Sequence, residues 1–524
     1  MAHRDSLAAS VSIDRLFQRR LTTLEFAPKI DTCPSCDVVL LVRKSRMLRV
    51  ATLNLGTFRA HETVLYCPKC NTDYHSEELL RLKPSGSRFG YDVLVHAGKQ
   101  MFLGCRCERE IQQELQSRQV VISEREVTYL AWKFVVYLSV AHRESREQLR
   151  QLLHCKGGYI LHLDATCEGD SPHLMTAMDG ITEIVLENVK LASERADRIV
   201  PLLRRIKELY GDPLGSVHDM GKGICKALPL VFPNIADFIC HYHFLADTGE
   251  DLFGQENDTI RKRLRRNGVQ GKLRKRVQEL SAIVEENPSV VESLSTSLAD
   301  SPTEQRMNDG SPALMPAVET YTLVLWALEG KKHTDGYGFP FDRPYLIFYE
   351  RLEVLRRILR HLNRQRLAAG KQDNKPYVRV LRNLIDTMDD TGLRKAAGQM
   401  QEKITVFDKL REAMRIAIPT AKHGLNDRGS KEKISSIKKR VEEFRHWLCN
   451  DEMYSKQQDY KGMISQLDKY WDKLFCDPIL VAGPQGPILV QPQRTNNGML
   501  CSGYHNPQDS GKSFWERVNH AAAA

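Results

Sequence analysis

Tyr159-Ile160-Leu161-His162-Leu163-Asp164 and, further on, Ser216-Val217-His218-Asp219 are the two stretches that decide the fold: each is an apolar, strand-like run that ends on an aspartate. Between them the pattern predicts a strand at Leu174 to Met178, a turn at Asp179-Gly180, a strand at Ile184 to Glu187 and an amphipathic helix from Ser193 to about Tyr210. After Asp219 it predicts a helix from about Lys222 to Val231, a stop at Phe232-Pro233-Asn234 and a strand near Asp237 to Cys240. An isolated aspartate at a strand end is ordinarily a turn residue. Two of them, in this order of elements, are better read together as a site.

The order of three strands, helix, strand with a second carboxylate, helix and strand is similar to a ribonuclease-H-like core. Val217-His218-Asp219-Met220-Gly221, then Ala227-Leu228, Phe232-Pro233-Asn234 and Cys240-His241-Tyr242-His243, resembles the second-aspartate block of the DDE transposases of bacterial insertion sequences and the Mutator-like group. The likeness covers about Tyr159 to Leu245, with a return near Arg494. It implies that the first and fourth strands lie side by side, that Asp164 and Asp219 are catalytic metal ligands, and that Cys240 and His243 match the group's C-x-x-H pair. For that pair we expect a structural role beside the catalytic strand, near transposon-end DNA, since two ligands alone do not make a metal site.

Strand cleavage and transfer is an in-line displacement at phosphorus, in which one cation activates water or a 3′-hydroxyl and another stabilises the leaving oxygen. Hard oxygen ligands on rigid strands suit Mg2+, or Mn2+, in that task.

Composition narrows the setting. The chain has 524 residues, enough for three or four domains. No apolar run is long enough to span a membrane and no leader pattern opens the chain, so the expected location is cytoplasmic and nucleoid-associated. Thirteen cysteines, an odd number, argue against a closed disulfide framework and for a reducing compartment. The net charge of +10 is concentrated: Arg261 to Arg276 holds nine Lys or Arg in sixteen residues and no acid, and a second basic helix is predicted from Arg351 to Arg366. Such density suits a polyanion, with Arg261, Arg265, Arg266 and Arg274 as DNA contacts, although a solvated helix face would look the same.

Near the N-terminus, Cys33-Pro34-Ser35-Cys36 and Cys67-Pro68-Lys69-Cys70 flank a stretch with strand-like runs at Val38 to Val42, Met47 to Leu53 and Glu62 to Tyr66. Two C-x-x-C knuckles converging on one point supply four thiolates, the closed tetrahedral set of a structural Zn2+ site. Zinc would stabilise a domain too small for a sizeable core. A redox pair is the competing reading, as are unligated thiols. Cys105 and Cys107 are too close together to extend the zinc set and are expected to be buried thiols.

A helix-turn-helix is predicted next. Its first helix runs from Glu108 to Arg118, its turn is Gln119 to Ile122, and Ser123-Glu124-Arg125-Glu126 is a capping box opening a second helix to about Val140. Val127, Leu130, Phe134 and Leu138 recur on one face, leaving Arg125, Thr128, Tyr129 and Lys133 to contact DNA. An ordinary helical linker is the plainer alternative.

From about Asp247 to Cys476 the pattern is helical, broken by a polar stretch at Asn287 to Pro316, with long helices at Val378 to Met388, Leu393 to Ala417 and Lys431 to Cys449. Trp326, Trp447 and Trp471 are expected in the core of this region. The resemblance implies an all-helical insertion between the second aspartate and a catalytic glutamate. After Ile488-Leu489-Val490, Arg494-Thr495-Asn496-Asn497 resembles the block that opens the glutamate-bearing helix, yet no acid follows before Asp509. Gly498 to Ala524 therefore reads as an aberrant tail, as a shifted frame or a decayed copy would produce. Glu329 and Glu350 are the candidate substitutes, each more simply a surface helix residue.

The expected organisation is an α+β multidomain chain. A zinc ribbon with an N-terminal extension spans 1–85, the helix-turn-helix 86–150, the first part of a ribonuclease-H-like α/β core 151–246, a large all-helical insertion 247–480, the return to the core 481–497 and the aberrant tail 498–524. What the resemblance implies is a transposase that binds double-stranded DNA, both transposon ends and target, and acts as a homo-oligomer away from any membrane. The alternatives are a DNA-binding regulator derived from a mobile element and a structure-selective nuclease with the same core.

Overall fold

Residues 21–167, 171–286, 288–289, 292, 316–332, 334–416, 433–483 and 486–496 are described by the computed structural model of the chain. The predicted tail from Gly498, together with Asn497 and most of the polar stretch from Asn287, lies outside the described residues. What is described is a mixed α/β chain in two compact units, 21–152 and 153–496.

In the first unit, β1 (Thr23–Phe26) pairs in parallel with β3 (Gly56–Tyr66), which pairs antiparallel with β2 (Leu41–Thr52) and with the short β4 (Asp73–Tyr74). The two strand runs predicted around Val42 and Met47 are one twelve-residue strand with a register break between Val42 and Lys44. Alternation decides which face is buried. Val50, Phe58 and Ala60 point inward with Phe26 and with Leu79 of α1 (Glu77–Leu82), so only one side of the sheet is covered by this cluster.

Three helices complete the unit: α2 (Tyr91–Phe102), α3 (Glu108–Ser117) and α4 (Glu124–Glu144). They share a core of Val93, Leu94, Ala97, Ile111, Leu115, Val127, Leu130 and Ala131. The predicted turn is present, with Gln119 at φ 63° and Val120 and Ile122 buried. So is the capping box: Ser123 Oγ accepts from Glu126 N, and the Glu126 carboxylate accepts from Ser123 N at 3.0 Å. Gly98 lets α2 approach α4, since a Cβ there would sit 2.2 Å from the Phe134 ring. Leu138, expected on the buried face, is 56% exposed, because the apolar core ends near Val135. Cys107 is exposed at the N-cap of α3 and Cys105 is half-buried, so neither is a buried thiol. The next helix, α5, is Arg146–Cys155.

The second unit holds a five-stranded sheet of order β7-β6-β5-β8-β9. Its strands are β5 (Ile160–Thr166), β6 (His173–Asp179), β7 (Val185–Leu191), β8 (Gly215–His218) and β9 (Ala236–Ile239). β5, β6 and β7 are antiparallel neighbours, while β8 runs parallel to both β5 and β9. Helix α6 (Ala196–Tyr210) links β7 to β8, and α7 (Lys222–Val231) links β8 to β9. The Asp179-Gly180 turn opens a longer loop than expected. Asp179 is fully buried, and its carboxylate accepts from the amides of Ile160, Ile181 and Thr182 at 2.8–3.1 Å, which organises the five residues before Val185.

The helical part begins at α8 (His241–Arg266), directly after β9, and continues through α9 (Val269–Glu285), α10 (Pro316–Glu329), α11 (Pro344–Ala368), α12 (Lys375–Met388), α13 (Thr391–Met414), α14 (Ile434–Asn450) and α15 (Gln458–Leu474). One apolar core runs through it, from Ile239 of β9 and Phe244 to Leu467 and Phe475, with Trp326, Trp447 and Trp471 packed partly buried against it. The chain then forms a hairpin, β10 (Ile479–Gly483) with β11 (Gly486–Val490). Ile479, Val481, Ile488 and Val490 pack on Ile160, Val217 and Phe238 of the five-stranded sheet. No helix among the described residues is long and apolar enough to cross a membrane.

Candidate metal and nucleic-acid sites

β5 and β8 pair in parallel from Ile160↔Gly215 to Leu163↔His218, so the residues one step beyond that register are Asp164 and Asp219. Asp164 is buried, 8% exposed, and Asp219 is half-buried. Each carboxylate is oriented by its own backbone: Asp164 Oδ1 accepts from Ala165 N at 3.0 Å and Asp219 Oδ1 from Gly221 N at 2.9 Å. Burial pushes the Asp164 carboxyl up to about 6, helped by the negative charges of Asp219 and Glu194 and opposed by His243. Asp164 thus lies buried in the negative field of Asp219 and Glu194, with His243 as the opposing positive charge. A hard divalent cation with water completing its shell fits that donor set.

His243 and Asp247 are four residues apart on α8 and so lie on one face of the helix. Burial works against protonation of His243, yet Cys240 and then Asp164 and Asp219 hold it up to about 10. Its Nδ1 is buried without a hydrogen-bond partner among the described residues. Asp247 is raised by burial and by Asp251 and Asp219, with His243 opposing. Cys240 caps α8, is 1% exposed, and donates its amide to His218 O at 2.7 Å.

Glu194 is a residue that sequence reading passed over. It stands just before α6, accepts from His173 Nδ1 at 2.7 Å, and contributes to the field at Asp164. Its place depends on how α6 and α7 meet, because its carbonyl lies where a Cβ on Gly223 would fall. Nothing local in the sequence carries that information. Glu350 instead accepts from Gln401 and lines a cavity with Asp335 and Arg343, while Glu329 lines another with Gln270 and Arg274. Neither is among the groups that act most strongly on Asp164.

The chain returns to the sheet where the sequence indicated. Arg494 O accepts from His241 N at 2.8 Å, Thr495 and Asn496 are buried, and Asn496 Nδ2 donates to Leu163 O at 2.9 Å. His162 Nδ1 donates to Asn496 Oδ1 at 3.0 Å, and burial pulls His162 down to about 4.

Cys33, Cys36, Cys67 and Cys70 converge, with all four sulfurs within 4.8 Å of one another and Cys33 Sγ 3.7 Å from Cys70 Sγ. Zn–S bonds of ~2.3 Å in a tetrahedron need sulfurs ~3.8 Å apart, so the set can hold zinc. The two knuckles are built alike: Asp37 N donates to Cys33 O and Asn71 N to Cys67 O, at 2.9 and 2.8 Å, and Asp37 and Asn71 both have φ 56°. The Tyr74 and Thr72 hydroxyls hold Cys33 and Cys70 below the ordinary thiol range, Cys70 at about 6, while burial pushes Cys36 up to about 12. Among the described residues this is the one group of three or more His, Cys, Asp or Glu close enough to share an ion.

On α4, Arg125 and Tyr129 are exposed, Thr128 is half-buried, and Lys133 lies over the Tyr129 ring at 4.8 Å. The basic run at Arg261 to Arg276 is largely committed to acids. Arg261 pairs with Asp258 at 2.7 Å, Arg263 and Arg266 with Asp390 at 2.5 and 3.0 Å, and Lys272 with Asp386 at 2.9 Å. Arg265 and Arg274 are exposed.

No protein-family model matches the chain, and no curated protein matches it either. Among solved structures, one similar chain is from the Drosophila P element transposase strand transfer complex. It is 13% identical and covers 72% of this chain and 96% of that one, at a TM-score of 0.22. A superposition at that score carries neither fold nor function, and the functional reading rests on the chain's own residues.

Proposed function

We propose that this chain is a DNA transposase of the DDE type, built on a ribonuclease-H-like core into which the helical body from α8 to α15 is inserted. The observation that carries the reading is the adjacency of β5 and β8 in a sheet of order β7-β6-β5-β8-β9: Asp164, two residues before the end of β5, and Asp219, just past the end of β8, are each one step beyond the paired residues Leu163 and His218. Supporting it, Asn496 docks on Leu163, one residue before Asp164.

In this reading Asp164 and Asp219 hold the divalent cations, Mg2+ or Mn2+, and such cations would activate the attacking oxygen and stabilise the leaving one. Asp219 stays aligned through Gly221, and His243 sets the local charge. Arg125, Thr128, Tyr129 and Lys133, with Arg265 and Arg274, contact double-stranded DNA, Arg261 and Arg266 adding to the surrounding field. The four cysteines hold zinc and stiffen the N-terminal ribbon, and Cys240 and His243 brace the turn from β9 into α8. Transposon ends and target DNA are the partners, and the working form is a homo-oligomer in the cytoplasm.

The sequence after Asn496 contains no acid before Asp509. That favours a chain that binds DNA and cations but joins strands poorly, which is the condition of a regulator derived from a mobile element. The test incubates the purified chain with Mg2+ or Mn2+, a duplex with a free 3′-hydroxyl and a supercoiled plasmid. Weak nicking or joining that disappears in Asp164→Asn is expected. Efficient joining would mean that Glu194, Glu350 or Glu329 completes the site, and products insensitive to Asp164 would overturn the proposal.

A further inference from the structure

The exposed face of the β1-β3-β2 sheet contains an arrangement that the fold alone does not explain. Arg49 of β2 and Arg59 of β3 stand directly opposite each other, and both are exposed. Side chains facing each other across an antiparallel pair have Cβ atoms about 5 Å apart, and like charges at that spacing destabilise the hairpin. The same strands avoid this elsewhere. Arg46 is opposite Glu62 and pairs with it at 2.7 Å, Arg43 pairs with Asp73 at 2.6 Å, and His61 pairs with Glu25 at 2.5 Å. The guanidinium groups of Arg49 and Arg59 have no ion pair or hydrogen bond among the described residues.

Period-two alternation places the pair on the side opposite the small core, since Val50, Phe58 and Ala60 are the buried neighbours. Along the same outward face lie Met47 opposite His61 and Ser45 opposite Thr63, the latter two hydroxyls 3.4 Å apart. Thr23 of β1 stands beside Arg59, and the nearest acid in the row, Glu25, is already engaged by His61. The surface thus offers two uncompensated guanidinium groups flanked by hydroxyls. Duplex DNA, with one phosphate per ~3.4 Å of helix axis on each strand, supplies the missing negative charge, and arginine and hydroxyl side chains are its usual backbone contacts.

We propose that this outward face, centred on the Arg49–Arg59 pair, is a contact surface for the phosphate backbone of double-stranded DNA. The inference rests on the reading that the chain binds DNA and adds a surface distinct from α4. It fixes how the ribbon lies on the duplex and conveys no base sequence.

The experiment compares the full chain with Arg49→Gln/Arg59→Gln and Arg49→Lys/Arg59→Lys on a random-sequence 30-base-pair duplex, titrated at several salt concentrations. Zinc content and melting temperature are followed in parallel. The Gln variant should bind more weakly, its slope of log affinity against log salt falling by about 1.8, or ~0.9 for each phosphate no longer neutralised. The Lys variant should keep the wild-type slope. Melting of the Gln variant should be unchanged or higher, as relief of like charge requires. An unchanged slope in the Gln variant, with wild-type binding intact, would overturn this surface and leave the DNA-binding reading standing. Loss of binding accompanied by loss of zinc and a lowered melting temperature would also overturn it, since the pair would then be structural. A wild-type chain that does not bind the duplex at low salt would remove both.

Discussion

Asn496 donates its side-chain amide to Leu163 O at 2.9 Å, one residue before Asp164, and is more than three hundred positions away in sequence. Through this bond and the one it accepts from His162, the far end of the helical body is fastened to the strand that carries the first aspartate. Replacing Asn496 with Ala would leave Leu163 O and His162 Nδ1 unpaired in a buried setting. A loss of about 2–4 kcal/mol in denaturant unfolding is expected, and Asn496→Ala should also weaken cation binding at Asp164. A variant with wild-type stability would show that the return loop does not hold β5.

Asp164 should destabilise the metal-free protein at neutral pH. Its folded carboxyl stands at about 6, raised from 3.8, so the unfolded chain ionises first. Stability from this group therefore falls as pH rises from about 3.8 to 6 and stays low above. Asp164→Asn removes the effect. In a chelator at pH 7.5 it should be more stable than wild type by up to about 3 kcal/mol, with the difference vanishing near pH 4. Melting curves at the two pH values decide it, and a destabilised Asp164→Asn at pH 7.5 would count against the site's electrostatics.

The opposite sign is expected at Asp237. His218 Nε2 donates to its Oδ1 and Lys473 Nζ pairs with its Oδ2, both at 2.6 Å, fastening α15 to β9. Against the burial that would raise it, these partners hold the carboxyl down to about 2. Its contribution is therefore complete above about 3.8 and is lost as pH falls towards 2. Asp237→Asn should cost about 2 kcal/mol at pH 7 and progressively less below pH 3.8. A pH-independent loss would indicate a packing effect.

Zinc should be present at one ion per chain. Cys67→Ser should lose it, and chelation should lower the melting temperature of the wild-type chain, because a ribbon with so small a core depends on the metal. Metal analysis of the purified chain is the check, and a stoichiometry near zero in protein prepared with zinc would remove the assignment.

Local patterns in the sequence carried much of the fold. Helix α7 occupies Lys222–Val231, the span that periodicity and the Phe232-Pro233 stop indicate, and the Ser123–Glu126 capping box starts α4 where its spacing requires. Both signals act within a few residues. Asp219 follows β8 directly, as its apolar run indicates, whereas β5 continues two residues past Asp164, because Ala165 and Thr166 still pair with Met175 and Leu174. What depended on distant partners was not legible. The run from Arg261 to Arg276 looks like a free basic face, but Asp386 and Asp390, more than a hundred residues later, pair with Arg263, Arg266 and Lys272. Glu194 went unnoticed because its relation to Asp164 arises from the packing of α6 on α7. Gly180, legible as a turn glycine, has a further reason to be small: a Cβ there would lie 2.4 Å from His162 Nε2.

The central claim is that Asp164 and Asp219 form one divalent-cation site. Calorimetric titration of Mn2+ into the zinc-loaded wild-type chain and into Asp164→Asn/Asp219→Asn, at pH 7.5, tests it most directly. The account predicts saturable Mn2+ binding to the wild type that is absent from the double variant, with zinc content the same in both. Identical isotherms for the two proteins, or no binding to the wild type, would contradict it.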